Sequence, residues 1–211
     1  TVELESNITG NEVFNLSEAP NLEQVIIESN DTQNRITLDQ ISAGVDIELQ
    51  GTGNTGDETL NSLRYRPEGT GDSVDISINN DGTALGDGNE FTLGGLVDNQ
   101  GNLVPSLVVN GINTVNLDIQ DGDTVIANDF TGDAVSTLNL TGDQDLTFNQ
   151  TIDDADTSEL STVNASEFEG DLIVDFDVDN NLNIRVGVGD DTITVQGNDN
   201  DRINLGVESN N

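Results

Sequence analysis

The chain has 211 residues, of which 41 are acidic and 5 are basic, and its formal net charge is −36. It contains no cysteine, histidine, methionine or tryptophan, which excludes disulfides, imidazole-bound metals and nucleophile systems built on cysteine or histidine. A charge of this sign repels nucleic acid and anionic membranes and attracts cations. We therefore expect no nucleic-acid partner and no insertion into a membrane.

The first half of the chain predicts strands rather than helices. Asparagine, aspartate, glycine and threonine are abundant along the chain and favour turns and strands over helix interiors. The first apolar stretch, LEQVIIES at 22–29, fits either a helical turn or a strand. Residues 45–63 and 66–82 combine Gly/Asn/Asp-rich turns with short β-branched runs typical of strands. The predicted fold class is all-β.

A proline-containing turn, DNQGNLVPS at 98–106, is the best candidate for a boundary. It predicts an irregular β region at 1–98 and a repeat-containing region at 99–211. We expect residues 1–98 to continue the architecture of the second region. The alternative is that they form a separate β-sandwich-like region.

The second half of the chain repeats. The motif Thr114-Val115-Asn116-Leu117 recurs at 137–140 and 162–165, and more loosely at 181–184. After each copy an aspartate opens a second apolar run, and these aspartates, 22, 26 and 20 residues apart, are Asp123, Asp145, Asp171 and Asp191. A period of this length indicates a solenoid. Two short strands per unit predict one coil of a parallel, β-roll-like solenoid.

A calcium-binding pattern follows. Residues 186–194, VGVGDDTIT, match the nonapeptide G-G-x-G-x-D-x-U-x at every specified position except the first. Residues 196–204 match it less well. Glycines allow positive φ and aim carbonyls inward, aspartates add carboxylates, and Ca²⁺ takes six to eight oxygens. The residues predicted to form the metal sites are Gly187, Gly189, Asp190, Asp191, Gly197, Asp199 and Asp201.

Two further groups of carboxylates are candidates for metal binding. Successive nonapeptides of a β-roll lie on opposite edges, so the turn that faces Asp191 should come from about one coil away, near Asp171. Asp175, Asp177 and Asp179 occupy alternate positions, so on a strand they would face one way while Phe176 and Val178 face the core. These three carboxylates predict either a calcium site or a solvated strand face.

The stretches STLNLTGDQDLTF (136–148) and LSTVNASEFEGDLIV (160–174), together with the nonapeptide, resemble the RTX, or hemolysin-type calcium-binding repeat, family. The resemblance is greatest to calcium-dependent bacterial surface-layer proteins and to RTX adhesins. It implies solenoids that fold on Ca²⁺ outside the cell after secretion. Lattice-forming members of the family assemble into a coat through further calcium bridges.

We therefore expect an extracellular, calcium-binding structural module, not an enzyme, that self-assembles into a surface layer or cell-surface polymer. The expected partner is another copy of the chain, with a cell-surface polysaccharide as a further candidate. One alternative is a monomeric stalk or ligand-binding segment of an RTX adhesin. Another is a carbohydrate-active β-helix that uses Asp153, Asp154 and Asp156 as acid and base.

Overall fold

A computed structural model describes residues 1–4, 11–19, 21–29, 35–42, 44–51, 58–69, 71–79, 90–153, 157, 159–196 and 200–206. Strand accounts for 59 % of the structure and helix is almost absent, which confirms the all-β prediction. The ambiguous segment at 22–29 forms a strand, Gln24–Ser29. Its period is two, because Val25 and Ile27 are buried while Gln24 and Ile26 are half-buried.

The strands of the described residues are short. In the first half they are β1 (Val2–Leu4), β2 (Asn11–Asn15), β3 (Gln24–Ser29), β4 (Arg35–Ile41), β5 (Asp46–Gly51), β6 (Glu58–Leu60), β7 (Ser62–Pro67), β8 (Gly71–Asn79) and β9 (Phe91–Leu93). They continue as β10 (Leu107–Val109), β11 (Ile112–Gln120), β12 (Thr124–Ile126), β13 (Phe130–Thr131), β14 (Thr137–Gly142) and β15 (Leu146–Phe148). The last are β16 (Ile152–Asp153), β17 (Thr162–Phe168), β18 (Leu172–Asp177), β19 (Asn183–Arg185), β20 (Thr192–Val195) and β21 (Arg202–Asn204).

These strands form three parallel sheets. Sheet A has the order β1-β3-β5-β8-β11-β14-β17-β19-β21, and sheet B the order β13-β10-β7-β4-β2. Sheet C has the order β16-β18-β15-β12-β9-β6, with β20 also paired to β18. Strands from both sides of residue 98 lie next to each other in every sheet, as β8 and β11 do in sheet A. Among the described residues, 1–98 form no sheet of their own.

One continuous core runs through the three sheets. In β11 the side chains of Val115, Leu117 and Ile119 are buried, while Asn116 and Asp118 between them face outward and are half-buried. The same alternation orients the other long strands, and the buried aliphatic and aromatic side chains from Val25 to Val186, other than Val104 and Val108, belong to a single cluster. In the part of the chain that the structure describes, no helix is long and apolar enough to span a membrane.

The predicted repeat is seen in the register of sheet A. Thr114, Thr137 and Thr162 are direct neighbours, and so are Asn116, Asn139 and Asn164. The fourth copy, at 181–184, was predicted in the wrong register: Thr162 lies opposite Asn183, two residues later than the motif indicates. A slip of two keeps every side chain on its own face, so the apolar pattern does not distinguish the two registers.

The second apolar runs are in register in sheet C, with one exception. Thr124, Leu146 and Leu172 are neighbours in adjacent strands. The last run is shifted by one residue, because Ile173 lies opposite Thr192 and Val174 opposite Ile193. Asp190, and not the predicted Asp191, is therefore the equivalent of Asp171. The shift brings Ile193 onto the inward face, where Val174 is buried.

Candidate metal site

A column of aspartates runs along the edge of sheet C, just before its strands begin. The backbone N–H of Asp145 donates to Oδ1 of Asp123 at 3.3 Å. The N–H of Asp171 donates to Oδ1 of Asp145 at 2.8 Å. The N–H of Asp190 donates to Oδ1 of Asp171 at 2.7 Å. Asp123, Asp145 and Asp171 thus each accept a hydrogen bond from the backbone of the next aspartate, and we call Asp123, Asp145, Asp171 and Asp190 the aspartate column.

The backbone beside the column continues the ladder of sheet C. The N–H of Thr124 donates to the carbonyl of Asp145 at 2.8 Å, and that of Leu146 donates to the carbonyl of Asp171 at 3.0 Å. Neighbouring strands of a sheet are about 4.8 Å apart, so the column stacks like charges at close range. Like charges directly opposite each other destabilise a sheet unless cations or hydrogen bonds offset their repulsion.

Asp191 lies beside the end of this column. Its Oδ1 accepts a hydrogen bond from the N–H of Leu172 at 3.0 Å. Partial burial raises the pKa of Asp191 above its ordinary value, and the charges of Asp171 and Asp190 raise it further, against the lowering effect of the Leu172 hydrogen bond. The three carboxylates are therefore close enough to repel one another electrostatically.

The two glycines of the nonapeptide are required for different reasons. Gly189 has a φ of 138°, in the region where glycine is favoured, as the motif predicts. Gly187 does not have a positive φ. A Cβ at Gly187 would lie 1.9 Å from the backbone oxygen of Phe168, so this position needs glycine because two segments of backbone approach closely.

A cleft of about 250 Å³ opens at this turn. Its lining residues are Val186, Gly187, Gly189, Asp190, Asp191, Leu205 and Gly206. Two carboxylates and the carbonyls of a glycine turn are oxygen donors of the kind that Ca²⁺ accepts. Among the described residues, no three acidic side chains are grouped closely enough to hold a metal ion by themselves. An ion in this cleft would need backbone carbonyls and water as additional ligands.

The second nonapeptide is described only in part. Gly197 and Asp199 lie outside the described residues. Oδ1 of Asp201 accepts a hydrogen bond from the N–H of Leu182 at 2.9 Å, just before β19 of sheet A. Asp191, in contrast, caps the first residue of β18 in sheet C. The carboxylates of the two nonapeptides thus lie at the starts of strands in different sheets.

The carboxylates of Asp175, Asp177 and Asp179 are not part of the aspartate column. Phe176 and Val178 are buried, as the alternation predicts. Asp175 is half-buried and faces outward from β18, and Asp177 and Asp179 are exposed. Asp177 lies opposite Asp153 of β16. Asp154 and Asp156, the other two residues of the carbohydrate-active alternative, lie outside the described residues.

Asp123 and Asp145 are the site residues that sequence reasoning did not assign. The sequence contained a signal for them, because each opens an apolar run at the repeat spacing that also contains Asp171. Their role as hydrogen-bond acceptors depends on which strands are neighbours in sheet C, which the motif does not encode.

Comparisons with known proteins do not assign the chain to a family. No family model matches the chain, no curated protein matches it, and no solved structure matches it.

Proposed function

We propose that this chain is an extracellular structural module that binds calcium at the edge of its parallel sheets and self-assembles into a surface layer or cell-surface polymer. The observation that carries the proposal is the aspartate column, in which stacked carboxylates end at a glycine turn. The resemblance of residues 136–148, 160–174 and 186–194 to RTX repeats supports the same function.

The three parallel sheets support a β-solenoid. Thr114, Thr137, Thr162 and Asn183 are successive neighbours in sheet A, so the chain returns to the same position after 23, 25 and 21 residues. Between these returns it passes through sheet C, and between Thr114 and Thr137 it also passes through β13 of sheet B. A chain that repeats this path extends one continuous core with every coil, as solenoids do.

Calcium suits the cleft at Gly187 and Gly189 better than other common ions. The donors are hard oxygens, and no histidine or cysteine is present to select a softer metal. Ca²⁺ tolerates irregular geometry, whereas Mg²⁺ demands a near-ideal octahedron and keeps several waters. A bound cation would also remove the repulsion between Asp171, Asp190 and Asp191, so binding and stability should be linked.

The test is a calcium titration of chelator-stripped protein, followed by far-UV circular dichroism and light scattering together, with magnesium as the ionic control. We expect the β signal to increase cooperatively with Ca²⁺ and the scattering to rise with it. Asp191→Asn should shift the transition to higher calcium, whereas the charge-matched control Glu18→Gln, at an exposed turn, should not. A protein that is fully folded after stripping and ignores Ca²⁺ would refute the proposal.

The same titration addresses the adhesin-stalk alternative. A stalk segment gains β signal and compacts without any rise in scattering. Assembly and folding would then be separable, and calcium would serve only to make the solenoid rigid.

A further inference from the structure

Three of the five arginines of this acidic chain lie on two neighbouring strands of sheet B. Arg35 is in β4, and Arg64 and Arg66 are in β7. We call these three residues the arginine patch. In register, Thr37 lies opposite Arg64, Asp39 opposite Arg66 and Arg35 opposite Ser62. The patch thus occupies one face of the sheet.

That face points away from the core. The residues between the arginines, Ile36, Leu38, Leu63 and Tyr65, are all buried in the interior. Successive residues of a strand point to opposite faces, so Arg35, Arg64 and Arg66 point outward. Arg66 is exposed, and Arg35 and Arg64 are half-buried.

The patch has unsatisfied hydrogen-bonding capacity. The Nε atoms of Arg35 and Arg64 are shielded from solvent and have no hydrogen-bond partner among the described residues. Burial lowers the pKa of Arg64, and the charges of Arg35 and Arg66 lower it further. Asp39 is the nearest acidic residue in register, and it lies beside Arg66, at the far end from Arg35.

An exposed valine lies in the same row as one of the arginines. The row that contains Arg64 runs from Val13 in β2 through Thr37 to Val108 in β10, and Thr37 and Val108 are buried. Val13 is 63 % exposed, which is high for a valine in a strand. Arginine is enriched at protein–protein interfaces and among the residues that contribute most of their binding energy.

Guanidinium groups bind carboxylates through two parallel hydrogen bonds, and the Nε atoms of the half-buried Arg35 and Arg64 have no such partner among the described residues. The chain has 41 acidic residues, and several of the described ones, such as Asp75, Asp118 and Asp175, occupy outward positions of sheets A and C. A second copy of the chain therefore presents the complementary charge to the arginine patch.

We infer that the arginine patch is an interface that binds carboxylates on another face of a second copy of this chain. The inference rests on the proposed self-assembly and names the contact that drives it. Because the two surfaces are different, the contact is head-to-tail, and such contacts produce open lattices or filaments when the rotation between copies does not close a ring. The arginines also provide local attraction between molecules that otherwise repel each other.

The test compares two double variants that each remove two positive charges. Arg64→Gln with Arg66→Gln removes most of the patch. Arg185→Gln with Arg202→Gln is the matched control, because these exposed residues lie in β19 and β21 of sheet A. Both variants and the wild type are followed by sedimentation velocity at fixed millimolar calcium over a range of protein concentrations, with circular dichroism as the check of folding.

We expect the patch variant to need roughly tenfold more protein than the wild type to assemble, while the control assembles like the wild type. If the patch variant assembles like the wild type, or if both variants are weakened equally, the inference is wrong and the proposed function stands. A wild-type protein that folds on calcium but never assembles overturns the inference together with the assembly part of the proposal.

Discussion

The carboxylate of Asp171 accepts a hydrogen bond from the backbone N–H of Asp190 at 2.7 Å, across 19 residues of chain. Asp171 itself donates its N–H to Oδ1 of Asp145. One carboxylate oxygen of Asp123, Asp145 and Asp171 therefore accepts a hydrogen bond from the next aspartate of the column. The column thus has a structural role that does not depend on metal.

Substitution of Asp171 should separate these two roles. Asp171→Ala removes the acceptor for the N–H of Asp190, and we expect it to lower the free energy of unfolding by about 1–3 kcal/mol. Asp171→Asn keeps an acceptor oxygen and should lower it much less. Urea unfolding in the presence of chelator provides the measurement. Equal stability of the alanine and asparagine variants would show that the hydrogen bond does not contribute.

The all-β architecture and the stacking of the repeat could be predicted from the sequence. Thr114, Thr137 and Thr162 were expected at equivalent positions, and they are neighbours in sheet A. The prediction succeeds because apolar residues alternate with polar ones on each strand, so each copy of the motif fixes which side faces the core. The three-sheet path of the first half could not be predicted, since residues 1–98 contain no regular repeat.

The register of the last repeat shows which parts of the strand alignment could be predicted from the sequence and which could not. The motif aligned Asp191 with Asp171, but this places Ile193 beside Ile173, which is 44 % exposed. Matching the inward residues instead pairs Val174 with Ile193, as observed. The alternation of apolar residues that favours this register was present in the sequence. The two-residue slip at Asn183 could not be found in this way, because it changes no side chain's face.

Asp191→Asn should have opposite effects on the stability of the protein with and without calcium. Asparagine keeps the acceptor for the N–H of Leu172 but removes one of the charges that meet at Asp171 and Asp190. In chelator we expect the variant to be more stable than the wild type by less than about 1 kcal/mol, because the site is partly exposed and solvent screens the repulsion. In calcium it should be less stabilised than the wild type. Thermal unfolding under both conditions measures the two differences.

The stability difference between Asp191→Asn and the wild type should depend on pH, and the direction of the shift in the Asp191 pKa gives the sign. The pKa of Asp191 is raised above its ordinary value of 3.8 in the folded state, so ionisation of this group costs stability. In chelator, the advantage of Asp191→Asn should be absent below pH 3.8, grow as the pH rises through the folded-state pKa, and then stay constant. An advantage that is largest in acid would contradict this account.

Gly187→Ala tests the close approach of backbone at the nonapeptide turn. The new Cβ would lie 1.9 Å from the oxygen of Phe168 and 2.8 Å from the oxygen of Ala165. Both atoms belong to backbone and cannot move without disturbing sheet A, so we expect a loss of about 3 kcal/mol or more. Gly95→Ala is the control, because its Cβ meets nothing within 4 Å and only its φ of 87° is strained. The control should lose about 1–2 kcal/mol, and similar losses in both variants would argue against the close approach.

Tyr65→Phe tests a buried hydroxyl with no partner. The Tyr65 side chain is fully buried in the core and its hydroxyl has no hydrogen-bond partner among the described residues. Removing an unsatisfied buried hydroxyl should leave the free energy of unfolding unchanged or raise it.

Burial, with a smaller effect of Asp75, raises the pKa of Tyr65 to about 12. The neutral phenol therefore favours the folded state, and this stability is lost as the pH rises from about 10 towards 12. Urea unfolding at pH 8 and pH 11 should show a smaller alkaline loss in Tyr65→Phe than in the wild type. A variant that is destabilised at pH 8 would show that the hydroxyl has a partner, such as a buried water.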